Sequence, residues 1–138
     1  MRPKIEAESD DGVSYFDAKA LRHPLLEALN QRVQQVPNDV RVGVSDSGGT
    51  LLYGMNAAGK SCLMKAVALA VVMAQAGMFV PAESLSLAPF RSVFTRIQPR
   101  DDISRGQSTF MCEMAEVRSI LKRCDRHSLL SSGPVARS

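Results

Sequence analysis

The feature that most constrains this chain is the octapeptide Gly54-Met55-Asn56-Ala57-Ala58-Gly59-Lys60-Ser61. It satisfies G-x-x-x-x-G-K-[ST] at every fixed position. Such a loop works between a strand and a helix, because its backbone must curl round an anion and present it to a helix N-terminus. Both neighbours are written into the sequence. Thr50-Leu51-Leu52-Tyr53 is a short apolar run that predicts a strand entering Gly54. Lys60 to Ala76 predicts a long helix, apolar on nearly every side and so expected inside a sheet-and-helix layer. Gly77 stands where a C-terminal cap is wanted. The chain therefore reads as α/β, and 138 residues allow one domain rather than two.

The chemistry of the loop follows from its residue types. The glycines permit a backbone curl without a Cβ clash. The N–H groups of residues 57 to 61 would then point inward at phosphate oxygens, in the field of the helix dipole. Lys60 would supply a point charge for the β- and γ-phosphates, and the Ser61 hydroxyl would hold Mg²⁺. The expected ligands are ATP and Mg²⁺. The expected nucleotide-binding residues are Gly54, Met55, Asn56, Ala57, Ala58, Gly59, Lys60, Ser61 and Cys62.

Composition narrows the remaining classes. Seventeen Lys and Arg against fourteen Asp and Glu leave a formal charge of +3, too small to indicate a nucleic-acid partner. The charged start MRPKIEAESDD is no signal peptide. The longest apolar stretch, Leu63 to Val80, is interrupted by Lys65 and Gln75 and is too short and polar for a membrane span. Cys62, Cys112 and Cys124 show no zinc-ligand spacing and leave one thiol unpaired, so a reduced intracellular compartment is expected.

Elsewhere, residues 1–11 read as an extended lead-in, and Val13-Ser14-Tyr15-Phe16 is strand-like. His23-Pro24 breaks the chain before one helical turn at Leu25–Leu29. Pro37-Asn38-Asp39 reads as a turn, Val40–Val44 as a half-buried strand, and Pro81 to Pro89 as irregular. Ser92–Ile97 predicts a strand. Thr109–Cys124 predicts a helix whose Phe110, Met114, Val117, Leu121 and Cys124 share one face. Phe110, Met111 and Met114 read as core rather than as ligands. Arg118, Lys122, Arg123 and Arg126 read as a solvated basic face. Ser128-Leu129-Leu130 begins another strand, which Ser131-Ser132-Gly133-Pro134 is expected to stop.

Beyond the loop itself, the run from Leu51 to Lys122 resembles the MutS family of DNA mismatch-repair ATPases. The likeness rests on the phosphate loop with Asn56 inside it, on Ala74–Ala82 (AQAGMFVPA), on Phe94-Thr95-Arg96-Ile97 leading to Asp101-Asp102, and on Gly106–Met114 (GQSTFMCEM). Upstream, Leu21–Glu27 resembles the family's R-H-P element and Val36–Val40 its P-N-D turn. About 13–130 look family-like and 131–138 atypical, so the whole of 1–138 is expected to be part of a MutS-type ATPase domain. The fold implied is a P-loop NTPase, an ABC-ATPase-like mixed sheet with flanking helices, here incomplete. The resemblance implies a dimer with a second MutS-family subunit, identical or not, and composite ATP sites between the subunits. It implies ATP binding and hydrolysis coupled to mismatched DNA in the complete protein. It carries the cis phosphate and Mg²⁺ contacts onto Gly54 to Ser61, and a trans contact to the partner's γ-phosphate onto Ser108. On residue chemistry alone, Ser108 reads as a helix N-cap. Asp101 and Asp102 read as solvated charges, or by resemblance as a conformational loop near the nucleotide. Glu113 offsets a helix dipole, and His23 reads as a structural histidine on the nucleotide side.

Four departures from the family pattern stand out. Met55 replaces a usual proline and Cys62 a usual threonine. Gln35 falls where many members stack an aromatic on adenine, leaving Val36 and the amide to compensate. The fourth is the absence of an Asp-Glu pair after Leu130. That pair would hold Mg²⁺ and polarise the attacking water. The catalytic residues are therefore unknown, and little hydrolysis is expected of this chain alone. The Walker-B strand is expected to be lacking, its neighbours to be unpaired, and the reading frame to be truncated or shifted. A non-hydrolysing nucleotide-binding or dimerising remnant is the alternative function, and a small P-loop kinase a weaker one.

Overall fold

The computed structural model describes residues 1–6, 12–29, 35–44, 49–55, 58–96 and 109–133. It is a mixed α/β fold with two sheets among these residues. The larger has four strands in the order β1-β4-β2-β3: β1 Lys4–Ile5, β2 Phe16–Leu21, β3 Asn38–Val42 and β4 Ser84–Leu87. β2 lies antiparallel to both its neighbours, and β1 runs parallel to β4. The smaller sheet pairs β5 (Ser92–Arg96) with β6 (Ser128–Ser132) in parallel. Three helices connect them: α1 Pro24–Leu29, α2 Lys60–Gln75 and α3 Thr109–Leu121.

The core lies between the larger sheet and α2. Phe16 and Ala18 point inward from β2, and Leu85 and Leu87 from β4, following the period of two that strands impose. β2 breaks its alternation at a bulge between Ala18 and Leu21, where Ala20 takes φ 50° and its N–H binds Asp39 Oδ1 at 2.8 Å. The slip returns Leu21 to the buried face beside the start of α1. α2 meets the sheet through Ala66, Val67, Ala70, Val71 and Ala74. Three alanines four residues apart let the helix backbone approach closely.

Several expectations are corrected here. β4 lies inside the stretch read as irregular, and its Ser-Leu-Ser-Leu alternation is the signal. β3 starts at Asn38 rather than after a turn at 37–39. β2 begins at Phe16 and continues to Leu21, with Val13-Ser14-Tyr15 outside it. Thr50–Tyr53 forms no strand; Leu51 and Tyr53 are 87% and 91% exposed. A strand needs a ladder partner, and among the described residues the 51–53 segment has none. Conversely, the strand expected to be lacking after α3 is present: β6 runs through Ser131-Ser132 and pairs along all of β5. Its backbone groups find partners whatever its side chains are, so polar serines do not stop it. α2 buries one face rather than all sides, leaving Val72 exposed. Gly77 takes the left-handed φ of 76° expected after the helix.

Candidate nucleotide-binding site

α2 starts at Lys60, directly after Gly59, whose φ of 86° is the left-handed conformation that turns the chain into the helix. The Gly59 carbonyl accepts the Leu63 N–H at 2.9 Å. The Lys60 ammonium bends back and donates to the carbonyls of Gly54 and Met55, each at 2.6 Å. One cation is thereby held at the mouth of the loop, beside the positive end of a 16-residue helix. Ser61 is exposed in the first turn and Cys62 half-buried behind it. Among the described residues no three His, Cys, Asp or Glu side chains gather as metal ligands.

The loop opens onto a cleft of about 500 Å³. Its lining joins Ala58, Gly59, Lys60 and Cys62 to Leu21, His23, Leu26, Gln35, Val36 and Asn38, with Leu52 and Tyr53 beside them. The fold thus brings Val36, at the edge of β3, to the same cleft as the glycine-rich loop some twenty residues later in the chain. Asn56, Ala57 and Ser108 lie outside the described residues, as do Asp101 and Asp102.

Two of the lining residues, His23 and Gln35, have polar groups bonded within the protein. His23 is buried, and its Nδ1 accepts the Leu26 N–H at 3.4 Å, capping α1. Burial, with the nearby Lys65 charge, lowers its pKa and favours the neutral ring. Pro24 takes the first helical position, where a missing N–H costs nothing. Gln35 Oε1 accepts the His23 N–H at 2.9 Å, and Gln35 Nε2 donates to the His23 carbonyl at 3.3 Å. The Gln35 amide, expected to compensate in part for a missing aromatic stack, is bonded to the backbone of the R-H-P element.

The distal side differs more from expectation. Met111 is 65% and Leu121 62% exposed, so neither is core; Met114 and Val117 are half-buried. Two strands offer too little area to cover an amphipathic helix. α3 is tied down by polar contacts: Arg96 Nε meets Glu116 Oε2 at 3.4 Å, and the Arg123 guanidinium lies 5.3 Å from the Phe94 ring centroid. Arg123 is therefore engaged rather than simply solvated, while Arg118, Lys122 and Arg126 are exposed. Glu113 lies in α3, one turn from its start. Gln75, noted in the sequence only as a break in the apolar stretch, joins α2 to the backbone of Phe90. Its Oε1 accepts the Phe90 N–H at 2.8 Å and its Nε2 donates to the Phe90 carbonyl at 3.0 Å.

Fold and cleft together define a mixed α/β protein with a glycine-rich loop at a helix start. Residues 50–137 match the family model described as MutS domain V. The chain is 43% identical over 127 residues to a DNA mismatch repair protein MutS from Symbiobacterium thermophilum, covering 92% of this chain and 14% of that protein. It is 43% identical over 127 residues to a DNA mismatch repair protein of Saccharomyces cerevisiae, covering 92% and 12%. With MutS of Caldicellulosiruptor bescii it shares 44% over 116 residues, covering 84% and 13%. The chain belongs to the MutS family, and it spans between 12% and 14% of the length of these three relatives. Among the described residues no helix is long and apolar enough to cross a membrane.

Proposed function

We propose that this chain is the ATP-binding part of a MutS-type mismatch-repair protein. Gly54 to Cys62 form a Walker A loop in this reading, and residues 1–138 form part of the family's ABC-type ATPase domain. The observation that carries it is the shared cleft: Lys60 and the start of α2 line the same space as Val36, Leu26 and Leu52. A triphosphate needs the first and a base the second. Lys60 would exchange its two carbonyl contacts for phosphate oxygens, and Ser61 would hold Mg²⁺, which screens the phosphate charge when bound. Ser108 would meet the γ-phosphate of a second MutS-family subunit. In the complete protein, ATP binding and hydrolysis would be coupled to mismatched DNA. β6 ends in Ser131-Ser132, so this chain contributes binding groups rather than the carboxylates that polarise water.

The test is a titration with a fluorescent ATP analogue. Wild type should bind and Lys60→Ala should lose at least about tenfold in affinity, as expected for a charged hydrogen-bonding group. Equal affinities would remove the loop from the site.

A further inference from the structure

We propose that Tyr53 supplies the aromatic face for the base of a nucleotide bound in this cleft, in place of the aromatic that is missing at Gln35. The inference rests on the nucleotide reading above and deepens it by naming the residue that covers the base. A nucleobase is flat, and an aromatic ring laid on its face strengthens binding by about tenfold. Gln35 has no such face, and its amide is bonded to the N–H and carbonyl of His23. Tyr53 lines the same cleft as Lys60 and Val36, and among the described residues no other Phe or Tyr does. It is 91% exposed, although an aromatic ring gains by leaving water.

The place of Tyr53 in the chain suits the task. It directly precedes Gly54, whose carbonyl accepts the Lys60 ammonium at 2.6 Å. Its main chain is therefore held at the phosphate end, and the side chain is left to extend along the nucleotide. Residues 51–53 belong to no strand, so no ladder of backbone bonds fixes the direction of the ring. The phenol can cover a base with its body and keep its hydroxyl tip in water.

The experiment titrates the full chain with Mg²⁺–ATP and, separately, with Mg²⁺–tripolyphosphate, which carries the phosphates and no base. Calorimetry gives both affinities, and tyrosine emission is read alongside. The chain has two tyrosines and no tryptophan. Tyr15 is outside the cleft's lining, with its hydroxyl bonded to Glu6 and Ser86, so a change on adding ligand reports on Tyr53. ATP should bind more tightly than tripolyphosphate and should alone change the emission. Tyr53→Ala should weaken ATP by about tenfold, the scale of one base–aromatic stack, and leave tripolyphosphate within about twofold. Tyr53→Phe keeps the face and should hold ATP within about threefold of wild type, while abolishing the emission change. Both replace an exposed side chain, so the urea midpoints should not move and unfolding cannot account for the loss. Equal losses for ATP and tripolyphosphate in Tyr53→Ala would put the ring at the phosphates and overturn the proposal. So would an unchanged ATP affinity in that variant, or a loss in Tyr53→Phe as large as in Tyr53→Ala. If neither ligand binds the wild type, the nucleotide reading itself fails, and this inference with it.

Discussion

The larger sheet with α2 and the smaller sheet with α3 start from similar material and end differently. Each contains a helix with an apolar stripe and strands with apolar residues. α2 lays Ala66, Ala70 and Ala74 into a buried core around Phe16 that also takes in Leu129 of β6. α3 sits by two strands and leaves Met111 and Leu121 in water. Its ties to β5 include an ion pair and a cation over a ring. The difference teaches that periodicity specifies a helix, while burial depends on how much sheet stands opposite it. The well-packed part carries the glycine-rich loop and reaches β6 through Leu129, while α3 stays at its margin.

The sharpest test of this contrast is a truncation in the packed part. Phe16→Ala should cost about 3–5 kcal/mol of unfolding free energy, read from a urea midpoint, since it empties a fully buried site. Next comes the joint between the parts. Gln75→Ala removes two hydrogen bonds to Phe90 and should cost about 1–3 kcal/mol. It should also raise amide exchange at Phe90 before it does so in β2. Smaller again is the acid sensitivity of His23, whose folded pKa lies below its unfolded value. The unfolded chain then takes up a proton that the folded chain resists. The stability is complete above the ordinary imidazole range and falls as pH drops through it towards the lowered value. His23→Gln should flatten that slope between pH 7.5 and about 5.5, the range bracketing a free imidazole; an unchanged slope would show that His23 does not set it. The smallest effect belongs to the exposed helix: Leu121→Ser should stay within about 0.5 kcal/mol. A cost comparable with Phe16→Ala would erase the distinction between the two parts.

Much of this was legible in the residues. The apolar run after the glycine-rich loop placed α2 to within one residue, and the spacing in α3 predicted its helix. Two strands were misjudged for opposite reasons. Leu51-Leu52-Tyr53 has strand composition but no ladder partner among the described residues, and composition cannot supply a neighbour. Ser84–Leu87 has a modest composition but lies between β1 and β2, where pairing decides. At the candidate site the phosphate-side residues could be named from their spacing, because a glycine loop is a local device. The rest of the lining could not. Whether Gln35 faces a ligand or His23 depends on where β3 folds back relative to α1, a long-range fact that no local pattern encodes.

The Gln75–Phe90 bond pair has a mechanical meaning. A side-chain amide there presents one acceptor and one donor to a single residue's backbone, as a neighbouring strand would. It sits at the far end of the helix that begins at Lys60. The helix therefore behaves as a strut about 24 Å long, loose at neither end, from the glycine-rich loop to the loop that enters β5. Asparagine is one methylene shorter and ionised glutamate cannot donate, so neither could make both bonds in the same place.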